Sequence, residues 1–149
     1  MMRGMTRTIA FLIAAGLGAA CYLTAAQKKV VELKGTAKGL PYSSALKVGD
    51  TLYVSGTTGV DPKTGKLPGD FEAEVRQCLT NIGALLKEGG MDFQDAVSVQ
   101  VYLGDMDMFD RMNVVYKSFF PEPRPTRTTV GVARLGGGAH IEVTVTARK

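Results

Sequence analysis

Histidine occurs once in this chain and cysteine twice. Each shortage removes a kind of chemistry. His140 standing alone excludes a histidine-rich metal site, and no Cys/His cluster takes its place. A Ser-His-Asp arrangement would have to be built on that one imidazole. Cys21 falls in an apolar N-terminal segment and Cys78 in a helical stretch, so a domain without that segment forms no internal disulfide, even in an oxidising compartment. Charge of one sign is scarce too: 18 Lys+Arg stand against 14 Asp+Glu. The basic residues are dispersed, not clustered with aromatics between them, which argues against a nucleic-acid surface. Repeats and low-complexity tracts are absent after residue 27. What remains, 45% hydrophobic and 21% charged over 149 residues, is the composition of one globular domain.

The N-terminus differs from the rest. Arg3 and Arg7 precede TIAFLIAAGLGAACYLTAA, which runs uncharged from Thr8 to Ala26 and ends on small residues. This reads as an export signal over residues 1–26, removed before Gln27, which would place the domain 27–149 in the periplasm. The alternatives are an uncleaved membrane anchor through residues 8–26 and a lipid anchor on Cys21. Cleavage removes two arginines, leaving 16 Lys+Arg against 14 Asp+Glu, a net charge of about +2.

In the remaining domain, Val30–Leu33 reads as a short strand, and Ser43–Val48 with Thr51–Ser55 as a hairpin around Gly49-Asp50. The loop from Gly59 to Asp70 is turn chemistry throughout. Asp70 then caps a helix whose Phe71, Val75, Cys78, Leu79, Ile82, Leu85 and Leu86 recur at helical spacing, stopped by Gly89-Gly90. Val97, Val99, Val101 and Leu103 alternate with polar residues, as in a strand with one apolar face. Asp105 or Asp107 caps a second helix that turns Phe109, Met112, Val115 or Val114, and Phe119 inward. Two more strands, Thr126–Ala133 and His140–Ala147, are joined by a turn at Gly136-Gly137-Gly138. This order makes an α+β domain with two helices on one face of a single sheet.

Alternation predicts which residues meet those helices. The apolar set includes Leu52, Val54, Val97, Val99, Val101, Val130, Val132, Ile141, Val143 and Val145. The opposite set includes Tyr53, Ser55, Gln100, Tyr102, Arg127, Thr129, Glu142 and Thr144, a semi-polar face suited to another copy of the chain. By this parity Arg127 and Glu142 share the second face. Pro121, Pro123 and Pro125 make the approach to Arg127 extended. An arginine among threonine and glycine suits a carboxylate, which its fork grips through two parallel N–H bonds; a surface salt bridge is the plainer reading. Glu142 reads either as a base or water-positioning carboxylate or as a charge that neutralises Arg127. Tyr42 after Leu40-Pro41 offers a hydroxyl or a packed ring, Asn113 lies in the second helix, and His140 reads as a strand-end residue.

These pieces together resemble the Rid family, also called YjgF/YER057c/UK114. The resemblance runs from about Leu40 to Ala147, through LPYSSALKVGDTLYVSG, DPKTG, the helix ending at Gly89-Gly90, VYLGDMDMFDRMNVVY, PTRTTVGVARL and IEV. It implies a chorismate-mutase-like fold with a mixed sheet, a homotrimer with clefts between subunits, and hydrolysis of 2-enamino or 2-imino acids without metal or cofactor. It further implies Arg127 as the carboxylate grip and Glu142 as the water-positioning group, with Tyr42, Ser55, Gly56, Asn113 and Thr129 lining the cleft. Thr57 and Thr129 stand where many members have glutamine and cysteine. A carboxylate-binding trimer without turnover is the alternative; ribonuclease or chaperone activity finds less support in this charge pattern.

Overall fold

The computed structural model describes residues 27–149, and the leader reading lies outside them. Eight elements follow one another: β1 (Lys28–Val31), β2 (Ala45–Val48), β3 (Thr51–Thr58), α1 (Phe71–Glu88), β4 (Ala96–Leu103), α2 (Phe109–Tyr116), β5 (Thr126–Gly131) and β6 (Ile141–Arg148). The strands make one mixed sheet in the order β1-β2-β3-β6-β4-β5, in which only β4 and β5 run parallel. Each predicted strand exists, with ends that differ by a few residues. Among the described residues no helix is long and apolar enough to cross a membrane.

α1 forms where its capping chemistry and apolar stripe agree. The Asp70 carboxylate accepts from the Ala73 N–H at 2.9 Å, and Gly89 closes the last turn. Val75, Leu79, Ile82 and Leu86 are buried against Leu52, Val54, Val143 and Val145 of the sheet. Each such side chain contributes about 1.5–3 kcal/mol by leaving water. Asp105 caps a single 3-10 turn, Met106–Met108, which then continues into α2. On α2 it is Met112 and Val115 that are buried, while Val114 is exposed. Arg111 ties the two helices by a fork onto Glu72, Nε to Oε1 at 2.6 Å, and those hydrogen bonds hold the Glu72 carboxyl down to about 2.

Three of the predicted inward residues are corrected. Val97 is exposed because a bulge between Ala96 and Ser98 makes it the extra residue of β4. Val130 is exposed, and Val132 lies beyond the end of β5. The reason lies in the register: parallel pairing sets Arg127 beside Val99 and Thr129 beside Val101. Both valines face the helices and are fully buried, so Arg127 and Thr129 face the helices and Val130 faces away.

Among the described residues one charged side chain lies inside this core. Glu74 of α1 is buried, and its carboxylate accepts from the backbone N–H of His140 at 2.7 Å and of Ile141 at 3.4 Å, with the His140 Nδ1 at 2.7 Å. It thereby fastens the start of β6 to α1. Glu74→Ala is expected to lower stability by about 3 kcal/mol, because it orphans two backbone donors, the Ile141 N–H buried and the His140 N–H part-buried. For a domain of this size that is a fall in Tm of roughly 6–12 °C. Glu74→Gln keeps an acceptor and should lose much less; equal losses by thermal unfolding would contradict this role.

Candidate functional site

Arg127 sits at the edge of the sheet, on a strand paired on one side only. Its guanidinium lies over the ring of Tyr116, 4.6 Å from the centroid, and 5.5 Å from that of Phe109. The Met112 sulfur is 3.9 Å from its NH1. Phe109, Met112, Asn113 and Tyr116 stand at i, i+3, i+4 and i+7 along α2, so the helix presents them as one stripe, with Asn113 between Phe109 and Tyr116 along its axis. Among the described residues no carboxylate lies within 4.0 Å of Arg127. Rings stabilise a guanidinium by about 0.5–2 kcal/mol and do not neutralise it. Two hydroxyls on this side, Thr129 Oγ1 and Tyr116 Oη, are buried without a hydrogen-bond partner. Burial pushes the Tyr116 phenol up to about 12, against a smaller opposing pull from Arg127.

Glu142 belongs to a different place. It pairs with Thr58 of β3 and Tyr102 of β4 and projects from the helix-free face. A bulge in β3 between Val54 and Thr57 leaves Ser55 and Gly56 outside the ladder with β6. The Ser55 hydroxyl donates to the Ser43 carbonyl at 2.7 Å, and Thr57 Oγ1 donates to the Ser55 carbonyl at 2.9 Å. From below, the Cys78 thiol donates to the Thr57 carbonyl at 3.1 Å, and Asn81 Nδ2 donates to the carbonyls of Thr58 and Val60 at 3.1 and 2.9 Å. Burial raises the Cys78 pKa, as do the charges of Glu74 and Glu142, so it remains a thiol. The Glu142 carboxylate lies directly over Gly56, where a Cβ would occupy the position of its Oε1. With Ser55, Gly56, Thr58, Val60 and Glu142, the exposed Tyr42 borders a cavity of about 570 Å³.

The predicted site residues thus fall into two groups. Tyr42, Ser55, Gly56 and Glu142 border one cavity; Arg127, Asn113 and Thr129 gather beside α2. The expectation that Arg127 and Glu142 share a sheet face is wrong. β4 separates their strands, so the backbones stand about 10 Å apart across the sheet. Their partners on β4, Val99 and Tyr102, are three residues apart, roughly a further 10 Å along it. The two side chains then leave in opposite directions, so no small acid touches both within one chain. Sequence reasoning missed the aromatic seat of Arg127, although the 3-4 spacing of Phe109, Met112 and Tyr116 carried the signal. It also missed the Cys78 and Asn81 props under the bulge, for which no local pattern exists. No group of three or more potential metal ligands occurs among the described residues.

The contact of Gly56 with Glu142 gives a clean test. Gly56→Ala should leave the fold intact, because the obstacle is the mobile end of a side chain, but it must displace the carboxylate by an ångström or more. Were Glu142 a reacting group, displacement on that scale would cost about 10²-fold in rate. Wild-type turnover in folded Gly56→Ala would show that the placement of Glu142 is immaterial.

Comparison with known proteins bears on this arrangement. The model of the family described as endoribonuclease L-PSP matches residues 35–149. A RutC family protein of Sulfurisphaera tokodaii is 44% identical over 110 residues, 73% of this chain and 88% of the relative. The 2-iminobutanoate/2-iminopropanoate deaminase of Mus musculus is 39% identical over 118 residues, 78% of this chain and 87% of the relative. Among solved structures, RidA from an Antarctic Psychrobacter superposes with a TM-score of 0.77 at 34% identity, covering 81% of this chain and 99% of that one. Escherichia coli TdcF with bound serine gives 0.75 at 31% identity, covering 81% and 98%.

Proposed function

Since the chain belongs to the Rid (YjgF/YER057c/UK114) family, the one described as endoribonuclease L-PSP, we propose that it hydrolyses reactive 2-enamino and 2-imino acids to 2-oxo acids and ammonia. The observation that carries this reading is Arg127: a half-buried guanidinium, seated on two rings, with no carboxylate partner among the described residues. A charge held in place but left unpaired is suited to an anion from outside the chain. The mouse relative's name assigns it imino acid substrates, and the TdcF structure holds serine, itself a small carboxylate.

Because Arg127 and Glu142 diverge within one chain, the site is completed by a second copy. The edge strand β5 of one copy brings Arg127, Thr129 and Asn113 to the cavity of Tyr42, Ser55, Gly56 and Glu142 on its neighbour, and three such contacts close a ring. Arg127 then holds the substrate carboxylate. Glu142 orients a water beside C2 and takes its proton as the oxygen adds to the C=N carbon. That proton passes to nitrogen, giving a carbinolamine; its hydroxyl then gives up its own proton, by way of Glu142, to the same nitrogen as the C–N bond breaks, and ammonia leaves with the 2-oxo acid behind. An enamine first takes a proton at C3 to become the imine. No electron is gained or lost.

The test pairs two measurements on the domain 27–149. Sedimentation should give a trimer at micromolar concentration, and freshly generated 2-imino acid should lose ammonia faster with the protein than without it. A clean monomer removes the shared site. A trimer that binds 2-oxo acids through Arg127 but releases no ammonia is the binding module instead.

A further inference from the structure

The turn Gly136–Gly138 has no part in the hydrolysis just described, yet it forms a wall of the same cavity. Gly137 and Gly138 have φ of +64° and +75°, which suit glycine, but Gly136 does not share that constraint. A Cβ added at Gly136 would meet nothing within 4 Å. Gly136 and Gly137 nevertheless border the 570 Å³ cavity together with Tyr42, Val60 and Glu142. A second recess of about 190 Å³ shares Tyr42 and Val60 and adds Leu40. The space next to Glu142 is therefore bordered by the Tyr42 ring and Val60 among the hydroxyls of Ser55 and Thr58, and by bare backbone at Gly136 and Gly137.

We propose that this space receives the substituent on C2, that Gly136 determines substrate size, and that the preferred substrates are 2-imino acids with branched or aromatic side chains. The proposal rests on the reading that Glu142 flanks the reacting carbon. With the carboxylate on Arg127 of the neighbouring copy and C2 at Glu142, the substituent enters the part of this cavity beside the turn. The 570 Å³ is the space beside one copy, which the neighbour's β5 narrows; in what remains a branched or aromatic group meets Tyr42 and Val60 and displaces water that a methyl group leaves in place. Arg134 borders a separate recess that the turn also lines, so an acidic substituent is the competing outcome.

The experiment compares the protein with Gly136→Leu, which fills the wall. Binding of 4-methyl-2-oxopentanoate, phenylpyruvate, pyruvate and 2-oxoglutarate is measured by calorimetry, and turnover is measured on imines generated from leucine, phenylalanine and alanine. The parent should favour the larger apolar acids over pyruvate. Gly136→Leu should lower that preference ratio about tenfold or more, in binding and in kcat/KM alike. A change in stability alone scales all ligands together and leaves the ratio unmoved. A parent preference for pyruvate or 2-oxoglutarate, an unchanged ratio in the variant, or binding of none of the four overturns the proposal. Binding with the expected ratio but no turnover retains it and overturns the deaminase reading alone.

Discussion

Arg127→Ala is expected to lower the proposed imine hydrolysis sharply while the protein still folds and assembles. Removing the charged partner of a desolvated carboxylate costs roughly 2–5 kcal/mol of transition-state stabilisation, a fall in kcat/KM of about thirtyfold to several thousandfold. The fold should tolerate the change, because the side chain is half-buried at the edge of the sheet and its contacts are ring faces and a thioether. Arg127→Lys separates charge from geometry. An ammonium can sit over Tyr116 and Phe109, yet it cannot offer two parallel N–H bonds to a carboxylate. The lysine variant should therefore recover little activity, with a raised KM. Near-normal hydrolysis by a folded Arg127→Ala trimer would rule out carboxylate capture by this residue. Loss of the trimer in both variants would instead assign Arg127 to assembly.

Glu142→Gln should lower kcat by about 10²–10⁴, the usual contribution of a positioned acid–base group. The substitution preserves shape and one acceptor oxygen, so binding of a 2-oxo acid product should change by no more than about threefold, near the scale of a modest neutral hydrogen bond. Stability should also hold, since among the described residues the Glu142 carboxylate makes no hydrogen bond or ion pair that the fold would lose. The split between kcat and binding identifies the role. A glutamine variant that turns over normally would show that Glu142 does not handle the proton. One that loses binding and turnover together would place it in substrate capture. The Gly56→Ala effect should not add to that of Glu142→Gln, because both act through one carboxylate.

Much of the fold was legible along the chain because its signals are local and agree with one another. The Asp70 cap, the apolar stripe from Phe71 to Leu86 and the Gly89 stop all concern one helix, and each is a short-range effect. Leu103 and the alternating valines Val99 and Val101 likewise announced a strand with one buried face. The candidate residues were legible by type: an arginine with β-branched neighbours in a strand and a glutamate amid apolar residues are unusual in any register.

Which way those residues face was not legible. Period-two alternation divides a strand into two sets without saying which set meets the helices, and on an edge strand of small residues hydrophobicity barely separates them. Parallel pairing of β5 with β4 decides it, and that pairing is a long-range fact. The burial of Arg127 beside α2 goes against hydrophobicity and is possible because Phe109 and Tyr116 offer ring faces to the cation. The bulges that expose Val97 and lay Gly56 under Glu142 arise from mismatched strand registers, which no single strand contains. The amino-acid sequence by itself therefore determined the elements, their order and the reactive side chains. Only the tertiary structure decided that Arg127 and Glu142 part to opposite faces, because a side chain's direction depends on the neighbour its strand pairs with.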